Sequence, residues 1–184
     1  MIESGGFPPI LEAARHGDPD ALAALYRDIH PRVVRYLRAR EPVEAEDLAS
    51  DVWLDVASGL SGFEGDVHGF NAWVFTIARR RLIDLRRRRA RRPQSSLEEL
   101  SERREPAGDA EDEAVERLTT AEALARIATL PDEQADVVLL RVLGGLSVDE
   151  VAAIVGKRPG NVRVIQHRAL RRLAREIESK GVTR

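Results

Sequence analysis

Charge is laid out along this chain in three blocks, and that layout divides it. Residues 79–92 hold nine arginines and one acid, Asp84. Residues 98–117 reverse the balance, with nine acids against Arg103, Arg104 and Arg117. Residues 157–175 then carry seven basic side chains and no acid. The net charge of −2 conceals this arrangement. Two basic blocks separated by an acidic one point to two nucleic-acid contact surfaces and a connector repelled by the same polyanion. A single arginine-rich block is as often just a solvated helix face, so the blocks must be weighed with the motifs they fall in.

Nothing in the chain reads as strand, because alternation over several residues is missing and β-branched residues recur at helical spacing. With aromatics at 4%, the core must be mostly Ala, Leu, Val and Ile, which suits helices. Asp18-Pro19 is a helix start, and residues 19–40 carry Leu22, Leu25, Tyr26, Ile29, Val33, Tyr36 and Leu37 along one face, with a kink or break expected near His30 because Pro31 lies within it. A second helix is predicted over residues 43–58, a Gly-rich loop over 59–69, and a third helix over 70–89. Pro93 closes this unit, and a polar, acidic tether follows. Helices resume near Asp112. The predicted fold is all-α, two helical domains over residues 8–92 and 112–180 joined by a flexible acidic linker over 93–111.

The C-terminal unit is the more sharply punctuated. Pro131 opens a helix that ends at Gly144-Gly145. Ser147 and Glu150 form a capping box, Gly156 stops the short helix they open, and Pro159 starts a longer basic one. This is a helix-turn-helix, whose second helix enters the DNA major groove. If Val151, Ala152, Ile154 and Val155 pack against Val162, Ile165, Ala169 and Leu173, then Arg158, Gly160, Asn161, Arg163, Val164, His167 and Arg168 point outward. Side chains near the start of such a helix reach base edges, whereas Arg171, Arg172 and Arg175 are better placed for phosphates.

Leu130-Pro131, residues 135–142, Gly145-Leu-Ser147, Glu150-Val-Ala152, Gly156, Val162 and residues 168–173 resemble the fourth conserved domain of extracytoplasmic-function sigma factors, group IV of the major bacterial sigma family. Glu44, Glu46, Asp47, Leu48, Asp51, Val52, Trp53 and Val56 resemble that family's helix that docks on the β′ clamp of RNA polymerase. Residues 70–84, followed by Arg86 and Arg87, resemble the segment that binds and melts the minus-ten element. The resemblance implies minus-ten contacts from Asn71, Trp73, Arg79, Arg80, Arg81, Asp84, Arg86 and Arg87, with the 58–69 loop forming a pocket for a flipped base. It implies minus-thirty-five contacts from Arg158, Asn161, Arg163, Val164, His167, Arg168 and Arg171. Trp73 and Phe75 are both candidate stacking platforms, and at helical spacing at least one belongs to the core. Ser50 stands where the family commonly has Gln, Arg80 where Asn is frequent, and Arg158 where Ser or Asp often caps the recognition helix. The implied partners are core RNA polymerase, through its β′ clamp and β flap, promoter DNA and an anti-sigma factor. The acidic linker resembles the family's connector toward the RNA exit path.

Other classes are less well supported. The acids Glu44, Glu46, Asp47, Asp51 and Asp55 can in principle hold magnesium, but a solvated or partner-facing helix surface is far commoner. His16, His30, His68 and His167 show no ligand spacing, and there is no phosphate loop or nucleophile elbow. No cofactor, no metal and no catalytic activity of its own are expected. With no cysteine, no secretory leader and no long apolar run, a cytoplasmic protein without membrane insertion is expected. Few residues follow Leu173, so no further C-terminal domain is expected. A stand-alone helix-turn-helix regulator is the alternative, and it has no need of the clamp-like and melting-like segments.

Overall fold

The computed structural model of the chain describes residue 2, residues 5–91 and residues 111–181, with side chains of the last segment described over 120–176. Asp18 starts the first long helix as its composition demands: Oδ1 accepts the Ala21 N–H at 2.8 Å, and Pro19 takes the first helical position, where no N–H is missed. The N-terminal unit consists of α1 (Phe7–Arg15), α2 (Pro19–Arg40), α3 (Ala45–Gly59), a single 3-10 turn (Leu60–Gly62) and α4 (Val67–Arg91). The expected break at Pro31 does not occur. Ile29, Val33, Tyr36 and Leu37 on either side of it are completely buried, and Pro31 itself faces solvent, so packing carries the helix past the one backbone hydrogen bond that proline cannot make. Helix α1 has no sequence signal strong enough to announce it. Pro8 and Pro9 sit in its first turn, and Phe7, Leu11 and Ala14 bury its inner face, with Phe7 against Phe70 at 5.6 Å between ring centroids.

Only residues 63–66 of the Gly-rich segment remain outside a helix. Helix α4 begins three residues earlier than predicted because Asp66 Oδ1 accepts the Gly69 N–H at 2.8 Å, the contact of an N-cap. Val67 and Phe70 then anchor its first turn in the core.

The C-terminal unit consists of α5 (Glu111–Ala128), α6 (Asp132–Val142), α7 (Val148–Val155) and α8 (Pro159–Gly181). The capping box at α7 is complete, with Glu150 N–H bonded to Ser147 Oγ at 3.2 Å and Ser147 N–H to Glu150 Oε2 at 2.6 Å. Gly156 ends α7 at φ 69°, a left-handed conformation that costs a residue with a Cβ about 1–2 kcal/mol. Leu139, Leu140, Leu146, Val151, Val162 and Ala169 fill the space between α6, α7 and α8.

The described residues form helices and turns only. The expected tether lies, but for its last residue, outside the described residues. The two units touch directly: α4 packs on α7, and α2 on α5. Arg40 at the end of α2 is buried there against Asp132 and Asp136 of α6.

Candidate nucleic-acid interface

The α8 surface follows from its own packing. Val162 and Ala169 are fully buried, Ile165 and Leu173 partly so, and that seam turns the other face of the helix to solvent. Arg158, Gly160, Asn161, Arg163, Val164, His167 and Arg168 are all exposed, as the helical spacing predicts. Arg171, Arg172 and Arg175 continue the basic face toward the C-terminus, with Arg172 Nε 3.4 Å from Glu176 Oε1. At the start of α8 the Arg158 carbonyl accepts the Asn161 and Val162 N–H groups at 2.9 and 3.2 Å.

The arginines of α4 are not equivalent. Arg80 and Arg87 have side chains 66% and 69% exposed. Arg81 is clamped instead by Asp55 of α3, with Nε and Nη2 at 2.7 and 2.5 Å from the two carboxylate oxygens. That clamp holds the Asp55 carboxyl below its ordinary range and raises Arg81. Arg86 donates to Glu41 at 2.7 Å, to Asp132 at 2.9 Å and to the Arg40 carbonyl at 3.1 Å. Burial alone works against its charge, but these acceptors leave its pKa raised. Arg79 is held by Asp136, and Asp84 lies 3.8 Å from Arg87.

Of the aromatic candidates, Phe75 is fully buried and edge-on to Tyr36, so it belongs to the core. Trp73 is half-buried and stacks on Phe63 at 5.1 Å between centroids. Together with Gly59, Gly62 and Glu64 these two rings line an open cavity of about 510 Å³ between α3 and α4. Asn71, expected among the minus-ten contacts, is 7% exposed, and its Oδ1 accepts from Arg32 at 3.1 Å. The helical register turns it inward. Phe63, inside the 58–69 loop expected to form the pocket but not named singly as a contact, supplies the second ring; the one sequence signal for it is an aromatic placed among the glycines of that loop.

On α3 the same register corrects two expected contact residues. Leu48 and Val52 are 3% and 0% exposed, four positions apart on the buried stripe, and so act as core. Glu46 and Asp47 are exposed, and Asp51 and Trp53 are half-buried at the surface. Trp53 forms an aromatic cluster with Tyr26 and His30 of α2, next to the exposed Leu54. No group of three or more His, Asp or Glu side chains suited to a metal ion occurs among the described residues, and none of the described helices is long and apolar enough to cross a membrane.

Residues 25–92 match the Sigma-70 region 2 family, and residues 120–173 match the Sigma-70, region 4 family. The chain is 36% identical over 174 residues to the ECF RNA polymerase sigma factor ShbA of Streptomyces griseus, covering 89% of this chain and 91% of the relative. It is 35% identical over 178 residues to the ECF RNA polymerase sigma factor SigD of Mycobacterium tuberculosis, covering 94% and 84%. Among solved structures, it is similar to the sigma factor RpoE in complex with the anti-sigma factor NepR from Bartonella quintana. That likeness has a TM-score of 0.65 at 20% identity, covering 85% of this chain and 96% of the other, and it bears on the fold alone.

Proposed function

The chain belongs to the extracytoplasmic-function RNA polymerase sigma factors, and on that premise we propose that it binds core RNA polymerase and directs initiation at specific promoters. Residues 8–92 form the unit that docks on the polymerase clamp and melts the minus-ten element, residues 93–111 the tether, and residues 112–180 the unit that reads the minus-thirty-five element. The observation that carries this reading is the pairing of region 2 and region 4 matches, in order, with an α8 whose outward face is basic and free of acids up to Arg175.

Arg158, Asn161, Arg163, Val164 and His167 read base edges in the major groove, and Arg168 and Arg171 hold phosphates. Arg79, Arg80, Arg81, Arg86 and Arg87 supply the cationic surface for the displaced strand, and Asp84 sets its boundary. Trp73 and Phe63 line the pocket for an unstacked base, while Asn71 supports that pocket from inside. Glu46, Asp47, Asp51 and Trp53 face the β′ clamp, with Leu48 and Val52 fixing their register, and the C-terminal unit meets the β flap. Polymerase carries out the phosphoryl transfer, and this chain contributes recognition and melting without turnover of its own. An anti-sigma factor that covers these surfaces, and a cytoplasmic location beside polymerase, complete the reading. Run-off transcription with purified core polymerase on genomic fragments tests it. A discrete transcript that requires this protein and disappears in Arg163→Ala with Arg168→Ala supports the reading; no transcript and no binding to core polymerase overturns it.

A further inference from the structure

Two carboxylates of the C-terminal unit lie on arginines of the N-terminal unit. Arg40 Nη2 is 2.8 Å from Asp132 Oδ1, and Arg40 Nε is 3.0 Å from Asp136 Oδ1. Asp136 Oδ2 takes Arg79 Nε at 3.1 Å, and Asp132 Oδ2 takes Arg86 Nη1 at 2.9 Å. The second arm of Arg79 donates to the Ile154 carbonyl at 3.1 Å. Ile154 lies in the last turn of α7, where carbonyls have no partner within the helix and carry the negative end of its dipole. The side chains of Arg40 and Asp136 are 3% and 10% exposed and that of Asp132 is 73% exposed, so the network runs from the interior of the closed molecule to its surface. Tyr36 Oη, fully buried beside it, has no hydrogen-bond partner.

We infer that Asp132 and Asp136 are an intramolecular latch: they occupy Arg79 and Arg86 in place of nucleic-acid phosphate and hold the two units closed until DNA or polymerase displaces them. This rests on the assignment of Arg79 and Arg86 to the promoter strand. A carboxylate and a phosphate offer an arginine the same acceptor geometry, so the two compete for one guanidinium. The contact is also suited to opening. The charged groups of this seam resolvate when it parts, and charged pairs contribute less net stability than apolar packing of the same volume. Arg40 makes the latch cooperative, because it bridges both carboxylates and is left buried without a partner if they are neutralised in the closed state.

The test uses the full chain, which has no cysteine, so dyes can be carried on His16→Cys and Val142→Cys, positions that are 75% and 65% exposed in the two units. Energy transfer between them reports closure. The Asp132→Asn, Asp136→Asn variant is expected to shift the closed-to-open ratio by roughly a hundredfold, the effect of stranding a buried charge. Transfer then falls, and affinity for a single-stranded minus-ten oligonucleotide, measured without polymerase, rises about tenfold or more. A control that removes equal charge at exposed carboxylates outside the network, Asp20→Asn with Glu122→Gln, should change neither. Asp132→Asn alone, at a side chain 73% exposed, gives the same comparison if the double variant loses helicity by circular dichroism. Unchanged transfer overturns the latch, and so does opening without a gain in oligonucleotide affinity beyond the control. Failure of the promoter reading shows separately, as no run-off transcript from wild-type protein with core polymerase, and the energy-transfer comparison decides the latch in either case.

Discussion

Trp53 Nε1 donates to His30 Nδ1 at 3.0 Å, which leaves the imidazole neutral with its proton on Nε2. Tyr26 stacks on the same ring at 4.2 Å between centroids. Burial pushes His30 below its ordinary value of 6.5, while Glu46 pulls more weakly the other way. A base kept neutral by folding contributes stability that is complete above 6.5 and is lost as pH falls through the depressed folded value. The urea midpoint of the N-terminal unit, followed by tryptophan fluorescence, should therefore fall between about pH 7 and pH 5.5, before carboxylates titrate. His30→Phe should flatten that dependence. A wild-type midpoint that stays level across this window would count against the neutral-imidazole assignment.

Ser147 holds the first turn of α7 through its side chain, and the turn after α7 depends on Gly156 at φ 69°. Ser147→Ala should cost about 1 kcal/mol by loss of the cap, and Gly156→Ala about 1–2 kcal/mol by backbone strain. Chemical denaturation of the full chain, read by far-ultraviolet circular dichroism, measures both. Equal midpoints for wild type and Gly156→Ala would mean that the turn rearranges at no cost.

Local devices of this kind are legible in the amino-acid sequence. Ser147, Gly156 and Pro159 act within a few residues of themselves, and the outward face of α8 follows by elimination once Val162 and Ala169 are assigned to the core. Other features are not legible, for equally physical reasons. Helix α1 is short and starts with two prolines, so its periodicity is brief. The passage of α2 through Pro31 is decided by packing from other helices. Leu48, Val52 and Asn71 belong to continuous motifs, whereas the helix alternates which residues of a motif face out. The partners of Arg86 and Arg79 lie 46 and 57 residues away, so no short window of sequence contains both ends of either contact.

The basic face of α8 should separate into two functions when measured by salt. Removing Arg171 or Arg175, placed along the later turns, should weaken promoter binding by the holoenzyme on all sequences and lower the salt slope by about 1 for each phosphate no longer neutralised. Removing Arg163, near the helix start, should cost about 1–3 kcal/mol on the cognate minus-thirty-five element and much less on a scrambled one. Arg158→Ser tests the same face from its edge. It restores a side-chain cap worth about 1 kcal/mol to the helix, yet promoter affinity should drop if the guanidinium touches DNA. Unchanged affinity in Arg158→Ser would mean that residue 158 stands clear of DNA. Filter binding of reconstituted holoenzyme at several salt concentrations gives all of these.

Trp73 and Phe75 sit two residues apart and should fail in different ways. Phe75 is fully buried against Tyr36, so Phe75→Ala leaves a cavity and should cost about 3–5 kcal/mol of stability. Trp73 is only partly covered, stacked on Phe63 at the wall of the cavity between α3 and α4. Trp73→Ala should therefore be the milder change in denaturation, because one face of the ring already meets solvent. Its larger effect should be on promoter opening, since base stacking on an aromatic ring is worth about 1–3 kcal/mol. Permanganate reactivity of thymines around the minus-ten element, probed with holoenzyme, reads the opening directly. Wild-type reactivity in Trp73→Ala would remove the ring from the melting surface and make Phe63 the residue to test next.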